Sequence, residues 1–398
     1  MTRALVALML SGALLATAGC VSDRDDPGSA PSSKGVIDEP ATLTPLKLSE
    51  EPLWSNDDVP GMTVVTYAAI HGDSALVVGG DDVRAADQVT VVDAATGKTR
   101  WTIDGRSEAA LRGGGDAALW SSYDSIAPRM VGEGDDSSVI VEYIQPGERL
   151  GLAALSSKDG RVRWKSSSYA EFDATKVTVV DVDDEIAVVE LGNRGSHSVT
   201  TIAIDVSNGR KVWEAPGVRP HGISDGAVLA GGILRGGIPE GEVVALDTKT
   251  GKRLWDLSEE YPSSAVVLVA GNATVVKVIG RASAPETMKT LVVETASGDT
   301  LAELKKADDR CQSDRRTLIA CETTDIEHFV TYRFKDRTAG ISAHKTPGQF
   351  VDGVWGGRVF MTPTGGLGGT SYDRSGNPID ENLPGELAMI TDRYAAYH

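Results

Sequence analysis

One short frame recurs along the chain, and few folds can host it. An aspartate is followed by a glycine four residues on and a tryptophan four residues after that: Asp93/Gly97/Trp101, Asp205/Gly209/Trp213 and Asp247/Gly251/Trp255. Ser156/Gly160/Trp164 changes only the first position. Apolar residues run up to the Asp, as in VVALD at 243–247, which is the pattern of a strand packed on both faces. The Asp can cap a turn through backbone N–H groups. The Gly supplies the positive φ such a turn requires. The Trp then gives the next strand a large apolar plate, whose burial contributes about 2–3 kcal/mol. A single unit of this kind cannot cover both of its faces, so it needs copies beside it.

Degenerate copies follow. Glu294/Gly298/Ala302 and Asp336/Gly340/His344 keep the spacing without the Trp, and Asp373/Gly376 is a shortened version. The copies recur roughly every 40–60 residues, near the length of a four-stranded propeller blade. Hairpin patterns with polar turns lie between them, beginning at Tyr67, Val177, Val267 and Val354, and would supply the inner strands. The fold expected is all-β: a β-propeller of four-stranded blades. Seven units lie within the chain. The segment from Glu386 reads as two strands lacking an end, and Leu46 to Trp54 as an outer strand lacking a start. Joining them would close the ring with strands from both termini and remove an exposed sheet edge, giving eight blades. Seven is the alternative.

The A-x-D-x-x-x-G-x-x-x-W pattern, clearest from Ala245 through Gly251 to Trp255, resembles the repeat of pyrroloquinoline-quinone-type, or quinoprotein-like, β-propellers. The resemblance covers roughly residues 63–398. It implies a propeller. It does not fix a function, because the family includes quinoprotein alcohol dehydrogenases, outer-membrane assembly lipoproteins of the BamB type and non-enzymatic extracytoplasmic domains. The family's enzymes are longer chains, and many carry a vicinal Cys pair at the cofactor, which this sequence lacks. In this family the repeat residues Asp, Gly and Trp are structural and do not mark the cofactor.

The N-terminus reads as an export signal. Arg3 precedes a short apolar run, Ala4 to Ala18, and Leu15-Ala-Thr-Ala-Gly-Cys20 resembles a bacterial lipobox, with Thr17 where Leu is usual. The expected organisation is a lipoprotein signal peptide over 1–19, a lipidated Cys20 opening a disordered tether over 20–45, and the propeller over 46–398. The tether's VSDRDDPGSAPSSKG opening is too polar to bury a core. An ordinary signal peptide cut nearby is the alternative. Export makes a disulfide between Cys311 and Cys321 the expectation, with two free thiols as its alternative.

A net charge of −18 argues against nucleic acid and against direct adsorption to anionic lipid. Much of the acid falls in expected hairpin turns, at Asp73, Asp135, Asp136, Asp183, Asp184 and Asp225, on the same rim as the Asp-Gly turns. The DVDDE run at 181–185 has the oxygen density of a calcium loop but lacks the glycine and distal Glu of an EF-hand, so it reads as a turn. Gly97-Lys98-Thr99 mimics a phosphate loop without its upstream glycine. The six His are scattered, and no G-x-S-x-G elbow occurs. The glycine-rich stretches 229–241 and 362–371 read as mobile connections on the opposite rim, where a ligand or protein could dock.

Taken together, the residues point to an exported, lipid-anchored, monomeric, non-enzymatic propeller that binds a protein partner or small ligand at the cell surface. No catalytic residue and no metal ligand is singled out. The alternatives are a PQQ- and calcium-dependent dehydrogenase, or a sensor domain partnering a membrane kinase.

Overall fold

The computed structural model describes residues 15–18, 36–37, 42–46, 53–55, 58–59, 62, 64–80, 88–104, 111–115, 117–119, 128–132, 134–145, 149–166, 174–192, 199–280, 288–325, 327–342, 348–363, 368–384, 387–390 and 394–397. Its strands form antiparallel sheets in simple meander order, arranged as a β-propeller. The first sheet holds Val64–His71, Ser74–Gly80, Gln88–Asp93 and Thr99–Asp104. The second holds Ser138–Gln145, Arg149–Ser156 and Val162–Ser166, with Ala118–Leu119 and Arg129–Val131 both pairing its Ser138–Gln145 strand. The third to seventh are four-stranded and start at Lys176, Pro220, Ser263, Ala307 and Gln349. No described helix is long and apolar enough to cross a membrane.

The recurring frame fixes one register. Val91 faces Trp101, Ala154 faces Trp164, Ala203 faces Trp213 and Ala245 faces Trp255, each pair followed at once by a register shift. A small or β-branched residue opposite the indole leaves the ring free to lean out of its own sheet. The backbone closes the turn before it in the same way each time, as where Gly251 N donates to the Asp247 carbonyl at 2.8 Å; in that turn Asp247 Oδ1 also accepts from Thr250 N at 2.8 Å and from the Thr250 hydroxyl at 2.6 Å. Those donors, the hydroxyl foremost, hold the Asp247 carboxyl below the usual carboxylate range against a small burial penalty. The inner and outer turns share one rim, where Ala94 N reaches the Asp73 carbonyl and Thr248 N reaches the Gly226 carbonyl, both at 3.0 Å.

The core is a circle of clusters between neighbouring sheets. Val89, Trp101, Val139 and Leu155 lie between the first and second sheets, and Ile140, Leu152, Val189 and Ile202 between the second and third. Each indole also donates across such a gap. Trp101 Nε1 reaches the Ser157 carbonyl at 2.9 Å, Trp164 the Val206 carbonyl at 2.7 Å, Trp213 the Thr248 carbonyl at 2.7 Å and Trp255 the Thr295 carbonyl at 2.9 Å.

The last sheet draws on both ends of the chain, in the order Trp54–Ser55, Leu15–Ala18, Tyr394–Tyr397, Leu387–Ile390. The expectation that 46–54 would lie directly beside the C-terminal strands is corrected here. Leu15–Ala18 occupies that place, pairing with Tyr394–Tyr397 on one side and with Trp54–Ser55 on the other. Trp54 nevertheless plays the part of a repeat tryptophan, with its Nε1 donating to the Ala94 carbonyl at 2.9 Å.

A second correction concerns residues 229–241. They form the bent tip of a long hairpin, Ala227–Arg235 with Ile238–Asp247, and are not a loose connection. Any side chain at Gly232 would collide with the Ser264 carbonyl of the next sheet, so this glycine serves close backbone approach. The end of the expected tether is also fixed. Leu46 N donates to Asp380 Oδ1 at 2.6 Å, and the Arg358 guanidinium donates to the Thr44 carbonyl.

Candidate functional site

The innermost strands carry a feature that plain alternation does not predict. Register shifts interrupt them at Val65/Tyr67, Val179/Asp181, Pro220/Gly222, Val266/Leu268, Ala307/Cys311 and Val351/Gly353. Such bulges twist a strand and re-aim its side chains. Here they turn residues toward the hub of the ring.

A cavity of about 520 Å³ lies at that hub, lined by residues of the first six sheets. Its size falls in the range of small-molecule sites, roughly 300–1,000 Å³. Tyr67 and His71 come from the first sheet, Arg129 from the second, Asp181 from the third, His221 from the fourth, Val266 to Val269 from the fifth and Arg315 from the sixth. Arg129 Nη1 donates to the Tyr67 hydroxyl at 2.9 Å, and its guanidinium carbon lies 5.4 Å from the centre of the Tyr67 ring. Its Nη2 reaches the Val180 carbonyl at 3.4 Å, while its buried Nε has no hydrogen-bond partner.

Asp181 is the carboxylate of this lining, and it is already engaged. Oδ2 accepts from Ile223 N at 2.9 Å and from Arg315 Nη2 at 3.3 Å, and Oδ1 from Val182 N at 3.0 Å. The Asp181–Arg315 ion pair joins the third and sixth sheets across the hub. His221 Nε2 faces the Gly231 carbonyl at 3.2 Å, and burial pushes its imidazole below the ordinary histidine range, so it is neutral at pH 7. His71 Nε2 donates to the Gly132 carbonyl.

These groups were not recognisable as a set in the sequence. Asp181 stands in the sequence as the start of DVDDE, Tyr67 as the start of a hairpin and the histidines as scattered residues, and the structure divides the DVDDE run. Asp183 Oδ1 accepts from the Glu185 and Ile186 amides at 2.8 Å and makes the turn, whereas Asp181 faces the hub. A calcium-bound quinone fits this lining poorly. Calcium takes six to eight oxygens, and the one carboxylate here is committed to Arg315 and two amides. Among the described residues, no three His, Cys, Asp or Glu side chains converge on a metal position.

The residues of the repeat lie away from the hub. Asp93, Asp205 and Asp247 cap outer turns, and Gly97, Gly160, Gly209 and Gly251 lie under Trp54, Trp101, Trp164 and Trp213 respectively. Trp255 covers Gly298. Cys311 and Cys321 face each other on paired strands of the sixth sheet with Cα atoms 4.0 Å apart, and they form a disulfide. Cys20 lies outside the described residues.

Comparison with known proteins gives the chain relatives by fold. The computationally designed Ika8 protein is similar at a TM-score of 0.50 and 13% identity, over 84% of this chain and 96% of that one. The quinohemoprotein alcohol dehydrogenase of Comamonas testosteroni is similar at a TM-score of 0.47 and 12% identity, over 80% of this chain and 66% of that one. The dihydro-heme d1 dehydrogenase NirN follows at 0.49 and 13%, over 94% and 73%. At such identities only the fold is shared. No curated protein matches the chain. Residues 66–256, the stretch holding the four complete Gly–Trp units, match the family described as outer membrane protein assembly factor BamB, and this half of the ring carries repeats of the PQQ type.

Proposed function

We propose that this protein is an exported, non-enzymatic binding propeller, held at the cell surface by lipid on Cys20. The observation that carries the binding role is the hub cavity. Six sheets contribute to it, its polar groups converge from separate strands, and the ring around it is held by tryptophans that each cross to a neighbouring sheet. A rigid ring with a small-molecule-sized hub suits recognition without turnover. The lipid anchor rests on the sequence from Leu15 to Cys20 and on the polar stretch after it.

Two experiments test this. Metabolic labelling with palmitate should mark the wild-type chain and not Cys20→Ala; equal labelling of both would remove the anchor from the proposal. Calorimetric titration of the full-length protein in detergent with pyrroloquinoline quinone, with and without calcium, should show no saturable binding. Micromolar or tighter binding, about −8 kcal/mol or better, would replace the binding role with a quinone-dependent dehydrogenase. Crosslinking on intact cells then separates a protein partner from a small ligand.

A further inference from the structure

We propose that the hub cavity takes a small organic monocarboxylate, gripped by Arg129 and Arg315. The inference deepens the binding role above and rests on it.

The charge inside the cavity runs opposite to that of the chain. A protein of net charge −18 places two guanidinium groups and one carboxylate in the lining of its hub. The carboxylate, Asp181, is spent on Arg315 and on two backbone amides. One positive charge is therefore left over, in a concave site where nearby low-dielectric walls strengthen its field. Both histidines give a ring nitrogen to a backbone carbonyl, His71 to Gly132 and His221 to Gly231.

Donors are also left over. Arg129 is oriented from two sides, by the Tyr67 hydroxyl and the Val180 carbonyl, and each bond uses one of the two N–H groups on its terminal nitrogen, leaving the other for a ligand. Because the Tyr67 hydroxyl accepts from Arg129, its own proton is directed elsewhere. Arg315 uses only Nη2 on Asp181, leaving the rest of its planar fork for a second acceptor. Guanidinium forks match carboxylates in a two-bond geometry that an ammonium cannot copy.

The single surplus charge favours a monoanion over a dianion. Ile70 and Met130 supply apolar wall beside the arginines, and the volume of about 520 Å³ exceeds what a carboxylate group alone would fill. A carboxylate carrying an apolar body satisfies both conditions.

The test is calorimetry on the full-length protein with acetate, butyrate, benzoate and phenylacetate, alongside benzamide and benzylamine as neutral and cationic counterparts. The expected result is saturable binding of at least one of the larger carboxylates, with benzoate at least tenfold tighter than benzamide and no binding of benzylamine. Arg129→Gln and Arg315→Gln should each weaken the carboxylate tenfold or more. Arg315 is partly exposed, so its variant keeps the test open if Arg129→Gln does not fold. Equal binding of benzoate and benzamide, a preference for benzylamine, full affinity in Arg315→Gln, or no binding of any carboxylate would each overturn the proposal. A crosslinked protein partner found alongside a negative carboxylate panel would leave the binding role standing and remove only this ligand.

Discussion

The Trp213 indole lies directly over Gly251 of the neighbouring sheet, so that a β-carbon added at Gly251 would stand 2.7 Å from the ring's Cδ2. The same ring bonds the Thr248 carbonyl three residues earlier in that turn. Glycine is needed at 251 twice over, for a φ of +67° and for the absence of a side chain.

Gly251→Ala should therefore cost about 2–4 kcal/mol, combining left-handed backbone strain with overpacking. Gly226→Ala is the control, because its φ is +74° but nothing lies within 4 Å of an added methyl, and it should cost about 1 kcal/mol. In the Trp213→Ala background the Gly251 penalty should fall toward that of the control. Urea unfolding of the single variants and the double variant reads all three.

The Cys311–Cys321 disulfide lies in the sixth sheet, whose outer strand lacks a tryptophan. Its loop spans a sequence separation of 10, so breaking it should remove about 2–3 kcal/mol. Thermal melts should place the reduced wild type and Cys311→Ser at one common midpoint, below that of the oxidised wild type.

Glu142 is buried between the second and third sheets, and neither carboxyl oxygen has a hydrogen-bond partner in good geometry. Burial pushes its carboxyl up to about 8, with Lys176 and the nearby Val179 amide offsetting part of the effect. A carboxyl raised in the folded state binds its proton more tightly there than in the unfolded chain, so stability falls as pH rises from about 4.5 through about 8. Glu142→Gln should match the wild type near pH 4 and exceed it at pH 9 by a few kcal/mol, roughly 5 at most. Denaturant titrations at the two pH values measure the difference.

Asp380 ties the N-terminal segment to the seventh sheet. It accepts from Leu46 N and from the Ser371 hydroxyl, and it forms an ion pair at 3.5 Å with Arg358 Nε, whose guanidinium also bonds the Thr44 carbonyl. Removing one partner of a buried ion pair leaves the other uncompensated, so Asp380→Ala should cost about 3–5 kcal/mol. It should also release residues 42–46, seen as a new site of limited proteolysis there.

The ring was legible in the sequence because its fastening repeats. A tryptophan needs a side-chain-free partner at a fixed place on the next sheet, and the chain writes both members into one frame of Asp, Gly and Trp. The hub left no comparable trace. Arg129 and Arg315 lie far apart in sequence, and the bulges in the inner strands break the alternation that would have marked which side chains turn inward. The stretch 229–241 misled for a different reason. Its glycines resemble those of a loop, yet Gly232 is a contact residue whose partner, the Ser264 carbonyl, belongs to another sheet. Trp54 was placed on an outer strand, but its seat above Gly97 depends on Leu15–Ala18, a segment whose apolar run is also the grammar of an export signal.

That double use makes closure of the ring a matter of timing. A chain cut ahead of Cys20 surrenders Leu15–Ala18, and with it the strand that stands between Trp54–Ser55 and Tyr394–Tyr397. If the chain is processed as proposed, the leader would act as a temporary keystone before the cut. After it, residues downstream of Cys20 must take its place, or the backbone edge of Tyr394–Tyr397 stands open. Processing at the membrane would then do more than free the protein: it would decide which piece of chain completes the circle.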